Sequence, residues 1–428
     1  MIDSPTNRKS ILSYCEKLLI MIKIGWVFYS DEHRKDIETI VSLSKDKGTL
    51  DELGLGSIRD AFANKFFPGT TTIQTRAKYF LIIPWILNDI YKKNVEFNAF
   101  RTLLKIEEVK VINSLKQSED QDGLIGKEAG EDLQRFPSSV YWSGLKKFDI
   151  LITDISLSQM SSFFSRQKNR ESFSQKRLTK EDKLSSDFNE TTERYYLVCD
   201  GLPKYPGLKD LKFQLDGNEA LFLKRKILES QPNSLFAYIL RGNHYKVSEL
   251  SSFKDLVEYI GPGNAFSEYL HSALLFDTVM KGCYIRYNMK VSEIGGIDNP
   301  ETWKDRWAFY LESISKINIS PGMFNDYFTE FGIRRSPREF CRNWISAVTM
   351  KPINPNIIDN LIKNRELTLK HRERARLSNP AVAKKAELPI SISVEQNSQE
   401  VHYLSYRFNV ARKLLSDLFI GLNSTDNA

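Results

Sequence analysis

Apolar residues recur along this chain at intervals of three and four, and strict alternation is rare. Tyr141, Leu145 and Phe148 at i, i+4 and i+7 are one instance, and the run Ala265–Val291 is the longest. That period puts one stripe of each segment on one helix face. Gly, Pro and capping residues punctuate the segments. The predicted fold is therefore mainly α and multi-helical, with a helix-turn-helix or winged-helix-like element and a few short strands.

Expected helices include Ser57–Phe66, a segment capped by Thr70, Thr71 or Thr72 that Pro84 kinks or resets at Trp85, Ala99–Leu115, Lys127–Gln134 and Ser138–Phe148. Further on come Asn218–Gln231, Ser248–Ile260, Ala265–Val291, Pro300–Lys316, Pro337–Met350, Asn356–Arg376 and Tyr406–Leu422. Near the start, Ser30 caps a helix that Gly48 ends. Residues 156–193 are polar and aperiodic, which predicts a mobile insertion. The β-biased run Arg194–Asp200 predicts a short strand, which could form a wing with the chain on the other side of that insertion. Three regions follow: a helical domain at 1–120, the helix-turn-helix-like element at 121–205, and a helical domain at 206–428 with a basic segment at 363–380.

The chain has 428 residues, 41% of them hydrophobic, with 26 Phe, 18 Tyr and 6 Trp, which supplies a sizeable core. Its net charge of +7, from 61 basic and 54 acidic residues, permits an acidic partner without requiring one. Cys15, Cys199, Cys283 and Cys341 form no C-x-x-C pair, which speaks against a zinc knuckle or a disulfide framework. The run Tyr79–Leu87 is too short to span a bilayer and contains Pro84. Lys23 spoils Leu18–Val27 as a signal-peptide core. The expected location is the cytoplasm, with no membrane partner.

Two segments carry the chemistry of nucleic-acid contact. In the helix pair Lys127–Gln134 and Ser138–Phe148, the second helix would enter the major groove. Arg135 precedes it, and Ser138, Ser139, Trp142, Ser143, Lys146 and Lys147 would face outward, as donors to phosphates and base edges; the plainer interpretation is a structural helix pair with Tyr141 and Trp142 in the core. In Arg365–Arg376, five basic residues and His371 fall within twelve positions, with Arg372, Arg374 and Arg376 as candidate phosphate contacts. A solvated helix with an i, i+4 pair of Glu366 and Lys370 is the plainer interpretation. Phe67–Tyr79 places a glycine and three threonines where an anion or a helix cap would sit, and pairs Arg76 with Asp60.

Catalytic patterns are sparse. None of the five histidines pairs as H-x-H or H-E-x-x-H. The P-loop order, the G-x-S-x-G elbow and the H-x-K-x-x-x-x-D pattern are absent, and Gly54-Leu55-Gly56 lacks a third glycine. No cofactor and no metal site is expected.

The segments Gly25-Trp26-Val27-x-x-Ser30, Leu53-Gly54-x-Gly56-x-Ile58-Arg59-Asp60-Ala61-Phe62-Ala63 and Phe67-Pro68-Gly69-Thr70-x-Thr72-Ile73-Gln74-Thr75-Arg76-Ala77-Lys78-Tyr79-Phe80 resemble the opening of a bacterial family known only as a domain of unknown function. Gly123–Gly126, Pro137–Leu145, Arg365-Glu366, Arg374–Asn379 and Tyr406-Arg407 extend the likeness over nearly the whole chain. Asp149 departs from it, standing where an aromatic–glycine pair is usual, which disfavours a tight turn there. The resemblance implies a place among bacterial defence genes, beside helicase-like and nuclease-like proteins. The expectation is a non-catalytic subunit of an antiphage system that binds duplex DNA or such a protein subunit. The alternative is an unrecognised nuclease or other nucleic-acid-processing enzyme.

Overall fold

The structure is a computed structural model that describes residues 51–93, 99–152, 155–160, 197–394 and 401–424. The opening motif with Trp26, the helix after Ser30 and most of the polar insertion lie outside the described residues. Residues 1–52 and 53–428 form two units, and the helices described belong to the second.

The mainly α expectation holds. The described helices are α1 (Gly56–Phe66), α2 (Tyr79–Lys92), α3 (Phe100–Leu115), α4 (Pro137–Lys147), α5 (Gly217–Ser230), α6 (Leu235–Arg241), α7 (Phe253–Ile260), α8 (Ser267–Gly295), α9 (Pro300–Ser315), α10 (Asn325–Glu330), α11 (Arg335–Thr349), α12 (Pro355–Leu369), α13 (Pro380–Ala383) and α14 (Phe408–Asn423). Two-residue strands β1 (Ser393–Val394) and β2 (Val401–His402) pair antiparallel.

Helix α8 is the spine. Its 29 residues extend roughly 44 Å at 1.5 Å per residue. Leu270, Ala273, Phe276, Val279, Met280, Cys283 and Tyr287 trace its buried stripe. Helices α7, α9, α11, α12 and α13 pack against it. Gly282 admits the ring of Tyr310 from α9, and a methyl there would overlap that ring. Tyr310 and the Trp344 indole both donate to the Val279 carbonyl, at 2.7 and 3.1 Å. Gly296, in the left-handed region at φ 60°, closes the helix.

Several expected elements come out differently. Lys127–Gln134 holds a single 3-10 turn, Gly130–Asp132, in place of a helix. Gly126 and Gly130 adopt φ of 82° and 52°, which no right-handed helix contains. The helix-turn-helix outline therefore lacks its first helix. The threonines after Gly69 cap no helix, because α2 starts only at Tyr79. Their loop is held by its own side chains: Thr70 Oγ donates to Phe67 O at 2.6 Å, and Gln74 bridges Gly69 O and the Thr71 N–H. Pro84 lies inside an unbroken α2. Asn356–Arg376 is split into α12 and two 3-10 turns, Arg372–Arg374 and Arg376–Ser378. Glu366 draws the chain back, accepting from the N–H groups of Arg376 and Leu377 at 3.0 and 2.9 Å.

The chain on the two sides of the insertion does pair. Leu151 bridges Val198 antiparallel, with Ile152 N donating to Leu197 O and Cys199 N to Ile150 O. Asp149 makes the turn before it at φ 51°, a conformation aspartate tolerates better than bulkier residues. Among the described residues, no helix is long and apolar enough to cross a membrane.

Candidate functional site

Helix α4 carries most of the residues singled out for nucleic-acid contact. Its N-terminus has backbone donors without helical acceptors. Glu108, on the inward face of α3, supplies one from outside the helix. Its carboxylate accepts from Ser138 N at 2.7 Å and from Ser138 Oγ at 3.0 Å. Glu108 is buried, and that burial pushes its carboxyl up to about 7, with the two Ser138 bonds acting in the opposite direction. Midway along, the Tyr141 hydroxyl accepts from the N–H groups of Thr75 and Arg76, at 2.8 and 3.0 Å, and donates to Arg76 O. Gly144 lies against Gly69 O and the Phe80 ring, where a methyl would not fit. The Trp142 indole donates to Ile155 O at 3.1 Å.

These contacts sort the candidates. Ser138 and Trp142 face inward, which corrects their expected outward placement: the first is consumed by Glu108 and the second by the chain leading to the insertion. Ser139, Ser143 and Lys147 are exposed at i, i+4 and i+8, and Lys146 is half-buried beside them. Arg135 is half-buried just ahead of the helix.

The basic segment divides in the same way. Arg365 and Glu366 are buried. Arg365 donates to Leu53 O and Gly54 O at 2.7 and 3.1 Å, and to Ser336 Oγ. Glu366 accepts from the Tyr287 hydroxyl at 2.6 Å and faces Lys370 at 3.7 Å, the expected i, i+4 pair. Burial and the Glu366 charge push the Tyr287 phenol well above its ordinary value. Arg376 is half-buried against Tyr287, whereas Arg372 and Arg374 are exposed. The 376–378 turn rests on α8 and α12, and α4 rests on α2, so different helices present the two basic elements.

The threonine-rich loop is a structural junction. Arg76 pairs with Asp417 of α14 and with Asp120, at 3.0 and 2.7 Å, and not with Asp60. Asp417 also accepts from Ala77 N at 2.8 Å. Asp60 is taken by Arg59 and Arg407, and Arg407 reaches Asn64 and Thr70 O as well. Lys78 and Glu219 form a buried pair. Near Arg76, Glu119–Leu124 and Lys127 line an open hollow of about 640 Å³. Among the described residues, no three His, Cys, Asp or Glu side chains are grouped so as to hold a metal ion.

Sequence reasoning passed over four participants. Glu108 was detectable as a carboxylate on the apolar stripe Leu104, Val111, Leu115. Asp417 stands similarly among Leu414, Leu415 and Leu418. Arg334 and Arg335, exposed at the start of α11, were visible only as an arginine-rich helix entrance.

No curated protein and no solved structure matches the chain. A family model does match, over residues 21–320. The C-terminal segments with Arg365, Glu366, Arg407 and Asp417 lie beyond that stretch yet bond directly into it. The chain belongs to DUF6361, a family of unknown function.

Proposed function

We propose that this protein is a non-catalytic binding subunit of a bacterial antiphage defence system, with duplex DNA as the ligand of its basic surfaces. The observation that carries this reading is the outer face of α4. Ser139, Ser143 and Lys147 line one exposed stripe, while the opposite face is fixed by Glu108, Tyr141 and Gly144. Ser139 donates its hydroxyl to Phe136 O at 2.8 Å, so Ser143 and Lys147 supply the hydroxyl and ammonium donors of that face, and such donors suit phosphate contact. In the threonine-rich loop, Arg76, Lys78 and Gln74 are committed to internal partners. The defence setting rests on the family resemblance, and helicase-like or nuclease-like subunits are the protein partners it suggests.

Fluorescence anisotropy with a labelled 20–30-base-pair duplex (lengths chosen as on the order of two to three helical turns) tests the reading. Binding that weakens steeply with salt supports it. Metal-dependent cleavage of the duplex by purified protein would assign the alternative, an unrecognised nuclease.

A further inference from the structure

Helices α11 and α12 are joined by residues 350–354 and pack side by side, so they run antiparallel. Arg365 Nη1 bonds Ser336 Oγ at 2.5 Å, which fixes the start of α11 beside the end of α12. That end of the hairpin gathers four exposed arginines: Arg334 and Arg335 from the entrance of α11, and Arg372 and Arg374 from the turn that follows α12.

The carboxylates nearby are sorted by position. On α12, Asp359 is half-buried and held by Arg286 at 2.6 Å and Lys290 at 3.6 Å, and Glu366 is buried under Tyr287. The exposed positions along α12 are Asn356, Asn360, Lys363, Asn364 and Thr368, with Pro355, Ile357 and Leu369 as the apolar exceptions, and the Thr368 hydroxyl donates to Arg365 O at 2.7 Å. Three amides and a lysine remain, and no carboxylate. Glu330, four residues ahead of Arg334, is held by Lys65 and the Tyr269 hydroxyl, and two further acids lie in these segments. Glu339 is taken by Arg335 in an exposed i, i+4 pair, and Glu373 is exposed in the turn. An exposed pair of that kind is weak and yields to a stronger anion.

We infer that this hairpin end, Arg334, Arg335, Arg372 and Arg374, is the main phosphate-backbone contact for duplex DNA, ahead of α4. Arginine presents a planar fork that matches phosphate geometry, and the uncharged donors of α12 continue the same chemistry along the helix. The inference rests on the DNA-binding reading above and names its surface.

Salt titrations of duplex binding test it, using the full chain, R334A/R335A, R372A/R374A and K146A/K147A. Each phosphate contact contributes about 0.9 to the log–log salt slope. Each arginine double variant is expected to flatten the slope by about 2 and to weaken binding at least tenfold at low salt, with an unchanged melting temperature. The lysine double variant should flatten it less. If the lysine variant alone flattens the slope, the inference is overturned and the DNA-binding reading stands. If the parent binds no duplex at low salt, both fall. Displacement of the duplex by polyglutamate at equal charge concentration, with the same arginine dependence, would assign the surface to an acidic protein and overturn the nucleic-acid assignment.

Discussion

Arg76 and Asp417 stand 341 residues apart and meet closely: Arg76 Nε donates to Asp417 Oδ1 and Oδ2 at 3.0 and 3.1 Å, and Nη2 lies 3.0 Å from Oδ1. Both side chains are largely buried, at 11% and 8% exposure. Burial outweighs the pull of Arg76 and leaves the Asp417 carboxyl above the ordinary aspartate value. Removing Arg76 strands the Asp417 carboxylate in a poorly solvated site, whereas removing Asp417 leaves Arg76 its bonds to Asp120 and Asp122 O. Arg76→Ala is predicted to cost about 3–5 kcal/mol, and Asp417→Ala less. In a double-mutant cycle, the double variant should cost clearly less than the sum of the singles. Additive losses in chemical denaturation would show that the pair is not coupled.

The same pair bears on what the family-matched stretch can do alone. A chain ending at residue 320 loses Asp417 from Arg76, Arg365 from Leu53 and Gly54, and Arg407 from Asp60. It also exposes the α8 face that α11 and α12 cover. Residues 21–320 expressed alone should be insoluble or lack a cooperative melting transition. A sharp transition near that of the full chain would show that the remainder is a separate appendage.

Glu108 should make stability depend on pH. Its folded-state value of about 7 is raised from an ordinary 4.5, so the folded state holds a proton that the unfolded state has released. Stability should therefore fall as pH rises from about 4.5 to about 7, by up to ~3 kcal/mol at about 1.4 kcal/mol per unit. Glu108→Gln should remove that dependence while keeping an acceptor oxygen for Ser138. The comparison is the difference in unfolding free energy between parent and variant at pH 5 and pH 8. A difference that does not change with pH contradicts the assignment.

Gly282 is predicted to resist substitution. Gly282→Ala puts a methyl into the ring of Tyr310, whose hydroxyl is fixed on Val279 O. Overpacking of this kind costs about 1–3 kcal/mol, which outweighs the gain in helix propensity of up to ~1 kcal/mol. Tyr310→Phe together with Gly282→Ala should not recover the loss, because the clash involves the ring itself. A melting temperature at or above the parent's for Gly282→Ala would contradict the packing described.

The helical class was legible because period 3.6 is written locally: the stripe of α8 and the pattern of α4 can be counted off the residues. What faces outward was less legible, because it depends on distant partners. Ser138 looks like a surface hydroxyl until Glu108 is placed beneath it. Arg76 looks like a partner for nearby Asp60 until α14 brings Asp417. The helix predicted through Arg376 fails because a glutamate one turn before its end captures two later N–H groups. In the basic segment, counting charge could not separate buried Arg365 from exposed Arg372 and Arg374.

Binding without cleavage is tested by one incubation of full-length protein with an end-labelled duplex and magnesium or manganese, read by anisotropy and then on a denaturing gel. The predicted result is salt-sensitive binding of an intact strand, weakened in the arginine and lysine double variants. Cleaved strands in parent protein, lost in those variants, would contradict it.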